Sequence, residues 1–363
     1  PSPRYSTIRC AHGLGIPACQ TLPPDGQVMP LAAWFKPLTL VLLIPLSLRL
    51  LGTYAILSGP WSLIAGVMGP LLGLIAAIVA AVLIKKRPNQ RLVFSVMMLL
   101  NLTLVIEDVR WSLDDTEQAT PVMTWNVALG FSEQHRCVQR VIADHNPRII
   151  ALQEIRQEGL ESVARALDMR CTWAGYFPKL GSNGLGLCVP KEWTIHLAQQ
   201  RRFTSHTQYA YLFAEIRPSE GKPFNVMNVH LQSPELSRQQ KGAKSAPSIL
   251  GHTTARQIWQ LFEVLRVAQG LDDPLLIAGD FNSTPNTWVH GQMRQLFRDA
   301  HRRRGRGIGA SRWFGGWLPV RIDYLYASRA MDWRGKTRAY DAGGCSDHHP
   351  VMGWLNLPNS GAL

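Results

Sequence analysis

Residues 274–283 read PLLIAGDFNS: a proline, a run of aliphatic and small side chains, then Asp280 and, two positions on, Asn282. A short apolar run bounded by turn residues reads as a buried strand. Here the strand ends in an acid. The same arrangement recurs on both sides. VMTW (122–125) runs into Asn126, RIIALQ (148–153) into Glu154, and FNVMNV (224–229) into His230. RIDYLYAS (321–328) carries Asp323 near its start, and GCSDHHP (344–350) presents Asp347 and His348 just before an apolar run.

Asp, Asn and His are common turn formers and caps, so any one of these residues alone carries little. Six strand edges in the same chemistry are hard to explain as turns. Between the strands lie amphipathic stretches at Glu133–His145, Gly159–Leu167 and Thr254–Ala268 (TARQIWQLFEVLRVA), and further strands at CTWAGYF, GLGLCVP and YAYLFAEI. Buried strands interleaved with helices predict an α/β fold. The polar stretch Pro234–His252, with Lys241, Gly242, Lys244 and Gly251, reads as a mobile loop over the site.

In order, TWNV (124–127), LQE (152–154), NVHL (228–231), GDFNS (279–283), RIDY (321–324) and SDHHP (346–350) resemble the signatures of the endonuclease/exonuclease/phosphatase superfamily, the pancreatic-deoxyribonuclease-like metal phosphoesterases. The resemblance implies a four-layer α/β sandwich, two packed sheets flanked by helices, over residues 122–357. It also implies roles. Glu154 is the expected Mg²⁺ ligand (Mn²⁺ being the other candidate), helped by Asn126 and Asp347. Asp280 holds and deprotonates water or binds a second metal, and Asn282 contacts phosphate. His348 acts as base or phosphate donor, oriented by Asp323, and His230 donates to a phosphate or leaving oxygen. His349 falls at the variable position. The residue types suit the chemistry, because attack on an anionic phosphoester needs charge neutralisation, an activated nucleophile and a stabilised leaving oxygen. Hard divalent cations take oxygen ligands and keep several waters. A carboxylate fixes the tautomer of an imidazole and raises its pKa. The other histidines, His290 and His301 among them, fall outside any motif and default to surface or packing.

The first third of the chain is different. Residues 38–57, 61–84 and 91–106 are apolar, and a bilayer core of ~30 Å needs about 20 such residues in a helix. The second run meets this freely, the first carries Pro45 and Arg49, and the third is short. Three transmembrane helices are therefore expected after a cytoplasmic tail, residues 1–37. KKRPNQR (85–91) between the second and third runs should stay in the cytoplasm, which puts the catalytic domain outside the inner membrane. The linker 107–121 then reaches at most roughly 50 Å, and residues 358–363 form a tail.

The chain has 38 Lys+Arg against 25 Asp+Glu. Within residues 294–338, 12 basic residues face 3 acidic ones, a local excess that suits an anionic partner or a solvated cationic face. The core of that segment, HRRRGRGIGASRWFGGWLP (301–319), offers Arg302, Arg303, Arg304, Arg306, Arg312, Trp313, Phe314 and Trp317 as a substrate rim. Arg pairs bidentately with phosphate, and aromatic rings suit stacked bases or a membrane interface. Six cysteines lack CxxC spacing, which argues against a zinc site; Cys171 and Cys188 are open to a disulfide or to two buried thiols. The expected partners are the lipid bilayer and a phosphate-containing substrate. Three readings follow: hydrolysis of a lipid-linked phosphate or pyrophosphate at the outer face, cleavage of DNA by a tethered nuclease, and anion binding without turnover.

Overall fold

The computed structural model describes residues 42–45, 60–86, 91–106, 110, 112, 119–128, 134–176, 183–204, 209–233, 246–314 and 316–358. Helix α1 (Pro60–Lys86) and helix α2 (Arg91–Ile106) pack on each other through Ala76, Ala80 and Phe94. Residues 42–45 of the first apolar run are helical; the rest of that run, the tail 1–37 and most of the linker lie outside the described residues. Among the described residues, no helix is long and apolar enough to cross a membrane. The side chains of α1 are described only from residue 72 onward.

From Thr120 the chain builds two six-stranded mixed sheets. The first contains β1 (Thr120–Asn126), β2 (Ile149–Arg156), β3 (Met169–Gly175), β4 (Asn183–Pro190), β13 (Asp332–Ala339) and β14 (Val351–Asn356), in the order β13-β14-β1-β2-β4-β3. The second contains β5 (Thr194–Arg202), β6 (Ala210–Arg217), β7 (Phe224–His230), β8 (Leu275–Asp280), β9 (Phe297–Asp299) and β12 (Asp323–Ser328), in the order β5-β6-β7-β8-β12-β9. A short ribbon, β10 (Arg312–Phe314) and β11 (Leu318–Val320), stands apart from both. Each sheet has one parallel pair at its centre, β1 with β2 and β7 with β8.

Three apolar layers explain the architecture. Val122, Ala151, Leu187, Leu212, Val226, Ala278 and Leu325 fill the space between the sheets. Met123, Ile150, Leu152 and Ile155 face the other way, against α3 (Gln134–His145) and α4 (Gln157–Ala166). Met227, Ile277 and Tyr326 pack against α5 (Ala246–Gln269) and α6 (Trp288–Leu296). The result is an α/β sandwich in which alternate residues of each central strand feed different layers. Helix α5 begins at Ala246, eight positions before the start expected from periodicity, so its first turns take over part of the stretch read as a loop; residues 234–245 lie outside the described residues.

A polar connection crosses the inner layer. Gln153 on β2 donates to Asn228 Oδ1 on β7 at 2.7 Å, and Asn228 donates back to the backbone oxygens of Leu152 and Gly186 at 2.9 and 2.8 Å. Both side chains are fully buried, where these directional bonds favour one alignment of the layers, although Gln153 Oε1 is left without a partner.

Among the described residues, two disulfides close the fold. Cys171–Cys188 joins register partners on β3 and β4. Cys137–Cys345 ties α3 to the turn that precedes β14, across 208 residues of sequence.

Candidate active site

The two parallel pairs end at the same edge of the sandwich, and the polar residues gather there by strand register. His230 is the lateral neighbour of Asp280, and Asp280 of Asp323, so strands β7, β8 and β12 deliver a row of three. Close approach of β7 to β8 beside this row needs Gly279, since a Cβ there would lie 1.9 Å from Val229 O.

The first sheet supplies the facing half. Leu152 and Ile155 both point into the outer layer, so strict alternation breaks between them. Glu154 is the cause: its φ is 57°, and the register of β2 on β4 shifts at that point. The bulge turns the Glu154 carboxylate to the strand end, where Oε1 lies 3.8 Å from His230 Nε2. Asn126 bridges the halves. Its amide nitrogen donates to Glu154 Oε1 and Asp280 Oδ2, both at 3.1 Å, while its oxygen accepts from Ala128 N–H at 2.9 Å.

His348 arrives on the turn before β14. Ser346 holds that turn, donating to Asn126 O at 2.7 Å and accepting from His348 N–H at 3.0 Å; Trp125 Nε1 donates to His348 O at 2.9 Å. The ring contacts Asp323 Oδ2 through Nδ1 at 3.0 Å, leaving Nε2 3.9 Å from Asp280 Oδ2. Burial, the largest influence, would lower the imidazole pKa; Asp323 and then Asp280 outweigh it and hold His348 at about 9. Asp280 is pushed up from the ordinary carboxylate range, first by burial and then by Asp323. His230 has its own orienting partner: Tyr176 Oη lies 2.6 Å from His230 Nδ1. Burial keeps the Tyr176 phenol protonated well above its usual pKa; when its hydroxyl donates to Nδ1, the neutral ring presents an Nε2–H to the oxygens of Glu154 and Asp280, 3.8 and 3.7 Å away.

Asn282 is buried but turned aside. Its N–H donates to Asp280 Oδ1 at 2.8 Å and its amide to Leu231 O at 3.0 Å. Asp347 is half exposed and pairs with Arg312. Of the expected rim, Arg312 thus reaches the cluster's edge, and Trp313 and Trp317 stand exposed on the adjacent ribbon. Arg304 donates to Trp333 O at the edge strand β13, and Arg302 and Arg303 share its five-residue helix. His290 and His301 are buried packing residues rather than surface ones.

The donor set fits a divalent cation. Glu154, Asp280 and Asp323 bring three carboxylates against two imidazoles, and the buried Asp323 Oδ1 has no hydrogen-bond partner. Single ligand atoms of Asp280, Asp323 and His348 lie within 4.8 Å of one another. Because His348 Nδ1 is already engaged with Asp323, the oxygens of Glu154 and Asp280, joined by the Asn126 amide, are the better-placed cation ligands.

Tyr176, Ser346 and Trp125 were not apparent as site residues from sequence. Ser346 sits inside the quoted SDHHP motif and could have been found there; Tyr176 lies in CTWAGYF, where it reads as one more strand aromatic.

A family model described as Endonuclease/Exonuclease/phosphatase family matches residues 123–348. No curated protein matches the sequence. Among solved structures, the human Nocturnin catalytic domain with bound sulfate anion aligns at TM-score 0.52 and 17% identity, over 69% of this chain and 98% of that one. TDP2 from D. rerio, complexed with single strand DNA product, aligns at TM-score 0.51 and 16% identity, over 66% and 100%. A Bacteroides thetaiotaomicron mannosyl-6-phosphatase aligns at TM-score 0.52 and 13% identity, over 66% and 100%. Identities this low speak for the shared fold.

Proposed function

The chain belongs to the endonuclease/exonuclease/phosphatase family, and from that premise we propose that it is a membrane-anchored, Mg²⁺-dependent hydrolase of a phosphate ester or pyrophosphate carried on a lipid. The observation that carries the hydrolytic part is the line Asp323–His348–Asp280, with His348 Nε2 facing Asp280.

Glu154 and Asp280 would hold a divalent cation, which would supply charge neutralisation at the phosphoryl oxygens. The chain's own residues do the rest. Asp280 either shares that cation or, with the cation on Glu154 alone, positions water and accepts its proton. His348, charged below about pH 9, donates from Nε2 to a phosphoryl oxygen, and Asp323 holds its ring. His230, with Nε2–H toward the cluster, donates to a second oxygen or to the leaving group. Asn126 keeps Glu154 and Asp280 at a fixed separation.

The anchor rests on the apolar sequence of residues 61–84, long enough for a ~30 Å bilayer core, and not on the helices of the structure, none of which among the described residues is long and apolar enough to cross. Leu74, Ile75, Ile78, Val79 and Val82 stand exposed on helix α1 among the described residues, an aliphatic face that water disfavours. An extracytoplasmic catalytic domain is supported by its two disulfides, which persist in oxidising compartments. Tethering then raises the local concentration of a lipid substrate and gives little advantage on a diffusing polymer.

The test is hydrolysis by the full chain with Mg²⁺ of three substrates: polyprenyl pyrophosphate, a phospholipid and plasmid DNA. Lipid turnover abolished by His348→Ala supports the reading. Plasmid nicking abolished by the same change, without lipid turnover, replaces it with a tethered nuclease; binding of all three without turnover replaces it with an anion-binding module.

A further inference from the structure

Helix α2 ends at Ile106, and the chain is fastened to the catalytic domain only four residues later. Arg110 and Gly307 exchange backbone hydrogen bonds, Arg110 N–H to Gly307 O at 2.9 Å and Gly307 N–H to Arg110 O at 2.8 Å. Four residues span at most ~14 Å. The clip therefore removes the slack that a 15-residue linker would leave, and it chooses which part of the domain lies beside the helix end.

That part is the basic, aromatic segment. Arg303, Arg306 and Ile308 are exposed around Gly307. The ribbon that follows exposes Trp313 at 46%, Phe314 at 40% and Trp317 at 68%, values that set it apart from the buried aromatics of the sandwich. The Arg312 guanidinium stacks over Phe314, 5.1 Å from the ring centroid. The segment also borders the catalytic cluster, because Arg312 bridges to His348 and His349 N–H donates to Ser311 O at 2.7 Å. Exposed tryptophans interleaved with arginines match the headgroup level of a bilayer, where the rings are half solvated and the cations meet anionic lipid.

We propose that residues 303–317 form a docking surface for the bilayer itself, held against the headgroups by the Arg110–Gly307 clip, so that the catalytic end of the sandwich faces lipid. The proposal rests on the membrane anchoring in the reading above. It assigns the rim aromatics to the lipid surface rather than to the substrate.

The experiment uses the full chain, with Cys10 and Cys19 changed to Ser and a nitrobenzoxadiazole label at Trp317→Cys or at Glu220→Cys. Glu220 lies in the β6–β7 turn, at the end of β7 away from His230. Reconstituted into phosphatidylglycerol-containing vesicles, the label at 317 is expected to be quenched several-fold more by brominated acyl chains than the label at 220. Equal quenching at both positions, or none at 317, overturns the proposal. Hydrogen exchange on the unmodified chain is independent of any folding defect in the variants. Amides of 303–317 should gain protection in vesicles relative to detergent, and protection by single-stranded DNA but not by vesicles also overturns it. Hydrolysis of polyprenyl pyrophosphate, a phospholipid and plasmid DNA with Mg²⁺ by the same samples separates the two claims. A quenched but inert chain removes the hydrolytic reading and keeps the docking; an active chain without quenching does the reverse.

Discussion

Asp323 Oδ2 lies 3.0 Å from His348 Nδ1, and this one contact decides which nitrogen of the histidine faces the neighbouring acid. Replacing the carboxylate by an amide keeps the size and removes the charge that favours the imidazolium. Asp323→Asn is expected to lower kcat by about 10²–10⁴-fold, the range for losing a positioned proton donor. It should also lower the His348 pKa from about 9. Steady-state kinetics and an NMR titration of His348 check both.

Removing the divalent ion should abolish hydrolysis reversibly. A cation would offset the burial and the neighbouring Asp323 charge that push Asp280 up, and would give the unpartnered Asp323 Oδ1 an opposite charge nearby. EDTA is expected to silence the enzyme and Mg²⁺ or Mn²⁺ to restore it. Glu154→Gln should weaken metal binding about tenfold or more, a loss of ~1.4 kcal/mol, measured by calorimetry with Mn²⁺.

Tyr176→Phe deletes the hydroxyl that sits 2.6 Å from His230 Nδ1. A net hydrogen bond is worth about 1 kcal/mol, so kcat should fall about five- to tenfold with the fold intact. KM should change little, because Tyr176 acts on the ring of His230 and not on the substrate.

Stability should decline at both ends of the pH scale for different reasons. His348 has a folded pKa of about 9 against 6.5 for a free histidine. Its contribution is therefore complete below pH 6.5 and is lost as pH rises through 9. His301 behaves oppositely: burial first, and then Arg321, lower it to about 3. The unfolded chain takes up that proton below pH 6.5, so stability falls from there towards pH 3. Thermal melts should show a shallower acid decline in His301→Gln and a shallower alkaline decline in Asp323→Asn.

Breaking Cys137–Cys345 should loosen the turn that carries Asp347 and His348. The bridge closes a loop of about 208 residues, and loss of a native disulfide typically costs 2–5 kcal/mol. Cys345→Ser is expected to lower Tm by several degrees and to reduce kcat. Calorimetry and kinetics without reductant make the comparison.

The strand-end acids, amides and histidines were legible because a buried strand advertises itself by its apolar run and its first polar residue. What sequence could not give was pairing at a distance. Cys137 and Cys345, or Gln153 and Asn228, meet only after the sheets stack, and nothing local marks them. Glu154 was readable as an acid, but not the left-handed backbone that turns it towards Asn126. The start of α5 was hidden because Ala246–Thr253 (APSILGHT) carries Pro247 and Gly251 and a single apolar pair, Ile249–Leu250, without the apolar periodicity that identifies the rest of the helix. Asp347 was expected beside the metal, and its salt bridge with Arg312 depends on a ribbon whose fold the Gly-rich segment did not reveal.

The sheet-crossing pair Gln153–Asn228 divides the machinery as well as joining it. Asn126, Glu154 and His348 belong to one layer; His230, Asp280 and Asp323 belong to the other. Neither layer alone contains a working set. A nascent polypeptide therefore lacks the complete set of these residues until residue 348 has emerged and β14 has closed onto β1, so the proposed hydrolysis requires the finished, correctly mated molecule.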